Sequence, residues 1–147
     1  MEAYLFGKYF ALFLNSFLAA TLLPIVSEPL LVYLLSENFP VVPIVFSATI
    51  GNSLGSYFTY YLGYLANWEK INKWLRIKEE NISKAKSWVD KYGVYTAFFS
   101  WVPFLGDPIT LALGIFKINP KLSFIFIFVG KLLRYSVVAG IYLASRN

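Results

Sequence analysis

Pro24-Ile25-Val26-Ser27-Glu28-Pro29 and, 79 residues later, Pro103-Phe104-Leu105-Gly106-Asp107-Pro108 are the stretches that decide how this 147-residue chain folds. Each sets one carboxylate four residues after a proline and directly before another, within strongly apolar sequence. The same shift of 79 carries Gly51, inside one long apolar run, onto Gly130 inside another. Pro40 and Pro120 each precede one of those runs. A broken, acid-bearing segment followed by an intact apolar helix, and then repeated, implies a small membrane transporter built from two related halves.

Composition supports the membrane. With 58% hydrophobic and 20% aromatic residues, the chain is too apolar for an ordinary soluble domain of its length. Its few charges are clustered, and Asn38 to Trp68 gives 31 consecutive uncharged residues. About 20 apolar residues suffice to cross a bilayer core. Tyr9 to Ser27 is also uncharged, but it is too aromatic for a signal-peptide core and lacks a small-x-small cleavage site. It therefore reads as retained structure. The chain has no cysteine, hence no disulfide, haem attachment or thiolate metal site. It has no histidine, the commonest general base and zinc ligand. No cofactor or metal is expected. The net charge of +5 reads as a topology signal rather than a nucleic-acid surface.

The organisation expected is all-helical: repeat 1 over about residues 1–66, a linker over 67–91, and repeat 2 over about 92–147. From Trp68 to Lys91 seven basic residues face four acids, and Trp68, Ile71 and Leu75, then Ile82, Ala85, Val89 and Tyr92, recur at helical spacing. Gly93 supplies a helix end. The linker reads as amphipathic helix on the membrane face, anchored by Trp68, Trp74 and Trp88, and its positive charge places it in the cytoplasm. Lys117 and Lys121 put the next turn on the same side, while the Ser36–Pro40 turn, with Glu37 and no basic residue, belongs outside.

Residues 92–116 must then enter the membrane and return. Tyr92 to Gly106 spans only 15 uncharged residues, about 22 Å as a helix. Pro103 and Pro108 break it, and Gly106 eases the reversal. A re-entrant hairpin with Asp107 near its tip follows, and by the repeat a second over Ala19–Leu35 with Glu28 near its tip, from the opposite face. Pro24, Pro29, Pro103, Gly106 and Pro108 are the tip residues. The competing arrangement is four full spans kinked at the prolines.

Two further patterns lie on the intact helices. Ser47, Gly51, Gly55, Thr59 and Gly63 fall at i, i+4 spacing, as do Ser136, Gly140 and Ala144 in the last helix, about Leu122–Ala144. Such stripes of small residues let helices pack closely. Gly51-Asn52-Ser53-Leu54-Gly55 also fits the G-x-S-x-G hydrolase elbow, but inside a helix-length apolar run and without a histidine to activate Ser53. No enzyme is expected.

The last helix carries Lys131 and Arg134 three residues apart, on one face. Together with Glu28 and Asp107 they make four charges at bilayer depth, each costing about 2.5–3.5 kcal/mol if left in lipid. They are therefore expected to face the interior. A structural ion-pair cluster is the plainer reading. The functional one makes Lys131 and Arg134 the seat of an anionic headgroup, and Glu28 and Asp107 the gating or proton-coupling acids.

Leu23-Pro24 through Glu28, then Gly51-Asn52-Ser53-Leu54-Gly55 and Tyr60-Tyr61-Leu62-Gly63, resemble the DedA family of membrane proteins, also called VTT-domain or SNARE-associated Golgi-type proteins. Tyr92-Gly93, Ser100-Trp101-Val102-Pro103, Gly106-Asp107-Pro108, Gly114 and Gly130-Lys131-x-x-Arg134-Tyr135 look specifically like its YqaA-like branch. The resemblance implies two inverted repeats with opposed re-entrant hairpins. It also implies lipid translocation, notably of polyprenyl-phosphate carriers, dependent on proton motive force. Glu28 matches the family's membrane acid. Better-known members place arginines around the second hairpin's proline, where this chain has Ser100 and Gly106; Lys131 and Arg134 could supply that charge. The function expected is flipping or scrambling of an anionic lipid. The alternatives are a proton-coupled small-solute transporter and a non-transporting scaffold. Membrane lipids are the expected partners, with a homodimer plausible and nucleic acid excluded.

Overall fold

The computed structural model describes residues 1–21, 23, 25–65, 79–102 and 105–147, with residues 79 and 82 described by their backbone alone. Every regular element among them is helical: α1 (Glu2–Ala19), α2 (Glu28–Ser36), α3 (Val41–Leu65), α4 (Glu79–Tyr92), a 3₁₀ helix (Gly93–Trp101), α5 (Gly106–Ile115) and α6 (Pro120–Ser145). Pro24, Pro103, and Trp68, Ile71, Trp74 and Leu75 of the linker lie outside the described residues. Two helices, α3 with 25 residues and α6 with 26, are long and apolar enough to cross a membrane.

The repeat seen in the sequence governs where helices begin and end. Shifted by 79, α2 would occupy residues 107–115 and α3 residues 120–144; α5 and α6 lie within one residue of those bounds. Both short helices also stop in the same way. Asn38 donates its N–H to the Leu35 carbonyl and Phe39 to that of Leu34; 79 residues on, Lys117 donates to Gly114 and Ile118 to Leu113. Asn38 and Lys117 both take the left-handed conformation, at φ 63° and 53°. This is the Schellman end, which satisfies the last carbonyls of a helix. Asn tolerates that backbone readily; Lys rarely does.

The prolines act differently from the expectation that they interrupt helices. Pro29, Pro43, Pro108 and Pro120 all fall in the first turn of a helix. There the missing N–H has no partner to lose, so proline starts the element. Over residues 19–35, where a hairpin is expected, α1 runs to Ala19 and α2 begins at Glu28. α1 and α2 pack against each other. Residues 93–101, expected as an α-helical arm, form a 3₁₀ helix instead. Gly93, at φ 58°, ends α4 where expected.

The chain divides into two compact units, residues 1–55 with 131–147 and residues 56–130. Helices α3 and α6 each contribute to both units. In unit 1, Leu12 of α1, Leu31 and Leu34 of α2, Ile44 and Ala48 of α3, and Tyr135 and Ala139 of α6 share one buried core. In unit 2 the core joins Tyr60 of α3, Ala85 and Val89 of α4, Ala97 of the 3₁₀ helix, Ile109 and Leu113 of α5, and Ile127 of α6. Trp88, expected as an interfacial anchor, packs edge-on against Phe99 at 5.3 Å, so the apolar stripe of α4 meets protein.

Small residues set the closest approaches. A Cβ at Gly51 would strike the Phe13 carbonyl, and one at Gly55 the Phe17 carbonyl. In unit 2, Gly63 lies against the Leu111 carbonyl and Gly114 against that of Tyr60, so the α3 and α5 backbones touch. Gly140 differs: a Cβ there would meet no described atom within 4 Å, and Ser136 and Ala144 are exposed with it. Gly114→Ala is therefore expected to cost about 1–3 kcal/mol through overpacking. Gly140→Ala should stay within about 0.5 kcal/mol of the parent. Thermal unfolding in detergent distinguishes the two.

Candidate functional site

The start of α2 carries the site. Ser27, the residue before the helix, accepts the first backbone bond there, from the Leu31 N–H at 3.2 Å. A serine at this position usually caps the helix with its hydroxyl. Here it makes no such bond. Instead the Ser27 hydroxyl shares a 2.6 Å hydrogen bond with the Tyr135 hydroxyl of α6, and both residues are buried.

The next residue repeats the pairing with charge. Glu28 and Arg134 form an ion pair whose side chains remain 20% and 26% exposed. Two consecutive residues at the start of α2, Ser27 before it and Glu28 within it, thus engage two consecutive residues of α6. Glu28 also opens its helix, where the exposed N–H groups make the positive end of the dipole. The acid therefore has two sources of stabilisation that are independent of water. Lys131 lies one turn before Arg134 and Tyr135 and is only 2% exposed. At spacings of three and four, these three side chains share one face of α6.

Asp107 belongs to unit 2, where it sits in the first turn of α5 as Glu28 does in α2. Both acids were expected on broken backbone; both instead occupy helix starts. Gly106 is fixed by contact, because a Cβ there would strike the Ser100 carbonyl. Thr110 donates its hydroxyl to the Gly106 carbonyl at 2.9 Å. Most of α5, from Pro108 to Gly114, is buried. Among the described residues no cluster of acids, histidines or cysteines could hold a metal.

Of the four charges singled out in the sequence, the structure brings Glu28 and Arg134 into contact and places Lys131 on the same face of α6. It adds Ser27 and Tyr135, which sequence reasoning missed as a pair. They are 108 residues apart. Their only signal was adjacency to Glu28 and Arg134.

Comparison with known proteins adds a family. The VTT domain model matches residues 23–142. A protein of Escherichia coli (strain K12) named inner membrane protein YqaA is 39% identical over 133 residues, covering 89% of this chain and 88% of that protein. An uncharacterized protein of Haemophilus influenzae is 32% identical over 145 residues, covering 91% of this chain and 85% of its own length. A Staphylococcus aureus protein named undecaprenyl phosphate transporter A is 28% identical over 115 residues, covering 69% of this chain and 57% of that protein. No solved structure matches the chain.

The hydroxyl pair can be weighed by a double-mutant cycle. Ser27→Ala or Tyr135→Phe alone leaves one buried hydroxyl without its partner and is expected to cost about 1–3 kcal/mol. The double variant should cost clearly less than the two single losses combined. Unfolding of the four proteins in detergent reads this directly; strict additivity would contradict the pairing.

Proposed function

The chain belongs to the VTT-domain (DedA) family of membrane proteins, and from that membership and the site we propose that it translocates an anionic lipid, such as a polyprenyl phosphate or a phospholipid, across the membrane. The observation that carries this reading is the pairing of Glu28 with Arg134 at the start of a short helix. An acid and a cation in contact, beside a second buried cation at Lys131, form a site that a phosphate can enter by displacing the carboxylate from the arginine. Arginine offers a planar fork to such a group and lysine a point charge. Glu28, displaced from its cation by the phosphate, is in this reading the acid that gates or proton-couples lipid exchange. By the repeat, Asp107 plays the corresponding role in the other half.

In this reading the two halves are inverted repeats. Several features support it. Helices α2 and α5, of nine and ten residues, are about 14–15 Å long at 1.5 Å per residue, roughly half of a bilayer core. Each must turn back within the membrane, as the arm of a re-entrant hairpin. Helices α3 and α6, equivalent by the shift of 79, meet first half to second half in unit 1 and second half to first half in unit 2. Equivalent helices running oppositely are what an inverted repeat requires. The basic linker lies on the cytoplasmic side, by its charge. The name of the Staphylococcus aureus relative points to the same class of cargo.

Reconstitution tests the reading. In liposomes carrying a fluorescent polyprenyl phosphate or phospholipid, the protein is expected to speed exchange between leaflets. Glu28→Gln and Arg134→Gln should each reduce that rate about tenfold, because each removes one member of the charged pair that holds the site. Proton movement without lipid exchange would favour a small-solute transporter. Inactivity towards both, with the protein folded, would favour a scaffold.

A further inference from the structure

Three polar residues on one face of α3 are unexplained by this site. Thr49, Asn52 and Ser53 lie at i, i+3 and i+4, all in unit 1, near the midpoint of a helix long enough to span. They are 0%, 5% and 1% exposed. The Thr49 hydroxyl, the Asn52 amide oxygen and the Ser53 hydroxyl make no hydrogen bond to any described residue. Each such group left bare costs about 1–3 kcal/mol, and no lipid can satisfy it. Three together would cancel a large part of a domain's stability.

The chemistry of the guest can be read from Asn52. Its amide N–H donates to the Ser16 carbonyl of α1 at 2.9 Å. The carbonyl lies in the last turn of α1, where backbone oxygens lack helical partners. The atom of Asn52 left without a partner is its amide oxygen, which can only accept. A phosphate oxygen cannot donate to it; an O–H can. Neighbours three and four apart on a helix lie about 5–6 Å from each other, which suits bridging by one or two molecules that each make two to four hydrogen bonds.

We propose that Thr49, Asn52 and Ser53 form a water-binding site at mid-depth in the membrane domain, facing away from lipid. The occupant is water, not the anionic headgroup. The site deepens the transport reading and rests on it for its use: a wet station halfway across lowers the cost of moving a polar group past α3. Its existence does not depend on transport.

The absence of cysteine allows a direct test. Ser53→Cys and Val137→Cys are made in the full chain and reconstituted, and the infrared S–H stretch of each is recorded in H2O and after transfer to D2O. Val137 is 50% exposed on α6, a candidate span, and serves as the exposed reference. A water in the site accepts from the Ser53→Cys thiol, so its S–H band is expected below that of Val137→Cys and should shift to S–D in D2O. Thr49→Cys, on the same face, should behave alike and serves if Ser53→Cys fails to fold. An S–H band at both α3 positions that is no lower than that of Val137→Cys, or that does not shift in D2O, would overturn the water site. The measurement requires no cargo, so loss of lipid exchange alone leaves the site standing.

Discussion

A carboxylate in so apolar a helical unit must be matched by a cation, by a helix dipole or by water, and Glu28 meets the first two of these at once. It pairs with Arg134, and it sits at the amino end of α2, where free N–H groups favour negative charge. Ser27 and Tyr135 hold the same junction through a buried hydroxyl pair. The first turn of a nine-residue helix is thus fastened to a long one by two adjacent contacts of different chemistry. Helix α2 cannot move away from α6 without exposing a charge and two hydroxyls. That constraint makes the junction a structural clasp.

Packing elsewhere rests on close fit. Lipid tails are as apolar as leucine, so membrane helices gain little by merely hiding apolar side chains; they gain by close fit. The fit is visible where Gly51 and Gly55 admit the α1 backbone, and, in unit 2, where Gly63 and Gly114 bring α3 and α5 into contact. Placing polar residues on a helix that must also be buried has a cost. On α3 it falls at Thr49, Asn52 and Ser53, and water answers it.

Much of this was legible in the sequence because the repeat carries local physics twice. The shift of 79 anticipates the bounds of α5 and α6 from α2 and α3; for the short helices, Pro29 and Pro108 at the start and the left-handed Asn38 and Lys117 after the end recur in register. Glu28, Arg134 and Lys131 stood out because charges in apolar runs are expensive. The failures have physical causes too. Proline was read as a breaker, yet in a first turn it begins a helix. Residues 20–27 seemed part of one apolar segment with α1, but Ala20 and Thr21 bond back to Phe17 and Leu18 and tighten the end of that helix. Val94, Tyr95, Thr96, Phe98 and Phe99 have modest helix propensity, and their 3₁₀ course is set by packing against α4 and α5. The Ser27–Tyr135 pair joins residues with no local relation, which no periodicity reveals.

The most direct test of the clasp is a charge exchange. Glu28→Arg and Arg134→Glu are each expected to unfold at a clearly lower temperature than the parent, or fail to accumulate, because each sets two like charges in contact at partly exposed positions. The account predicts that combining them restores thermal unfolding in detergent close to that of the parent. Single variants as stable as the parent, or a double variant no better than either single, would contradict it.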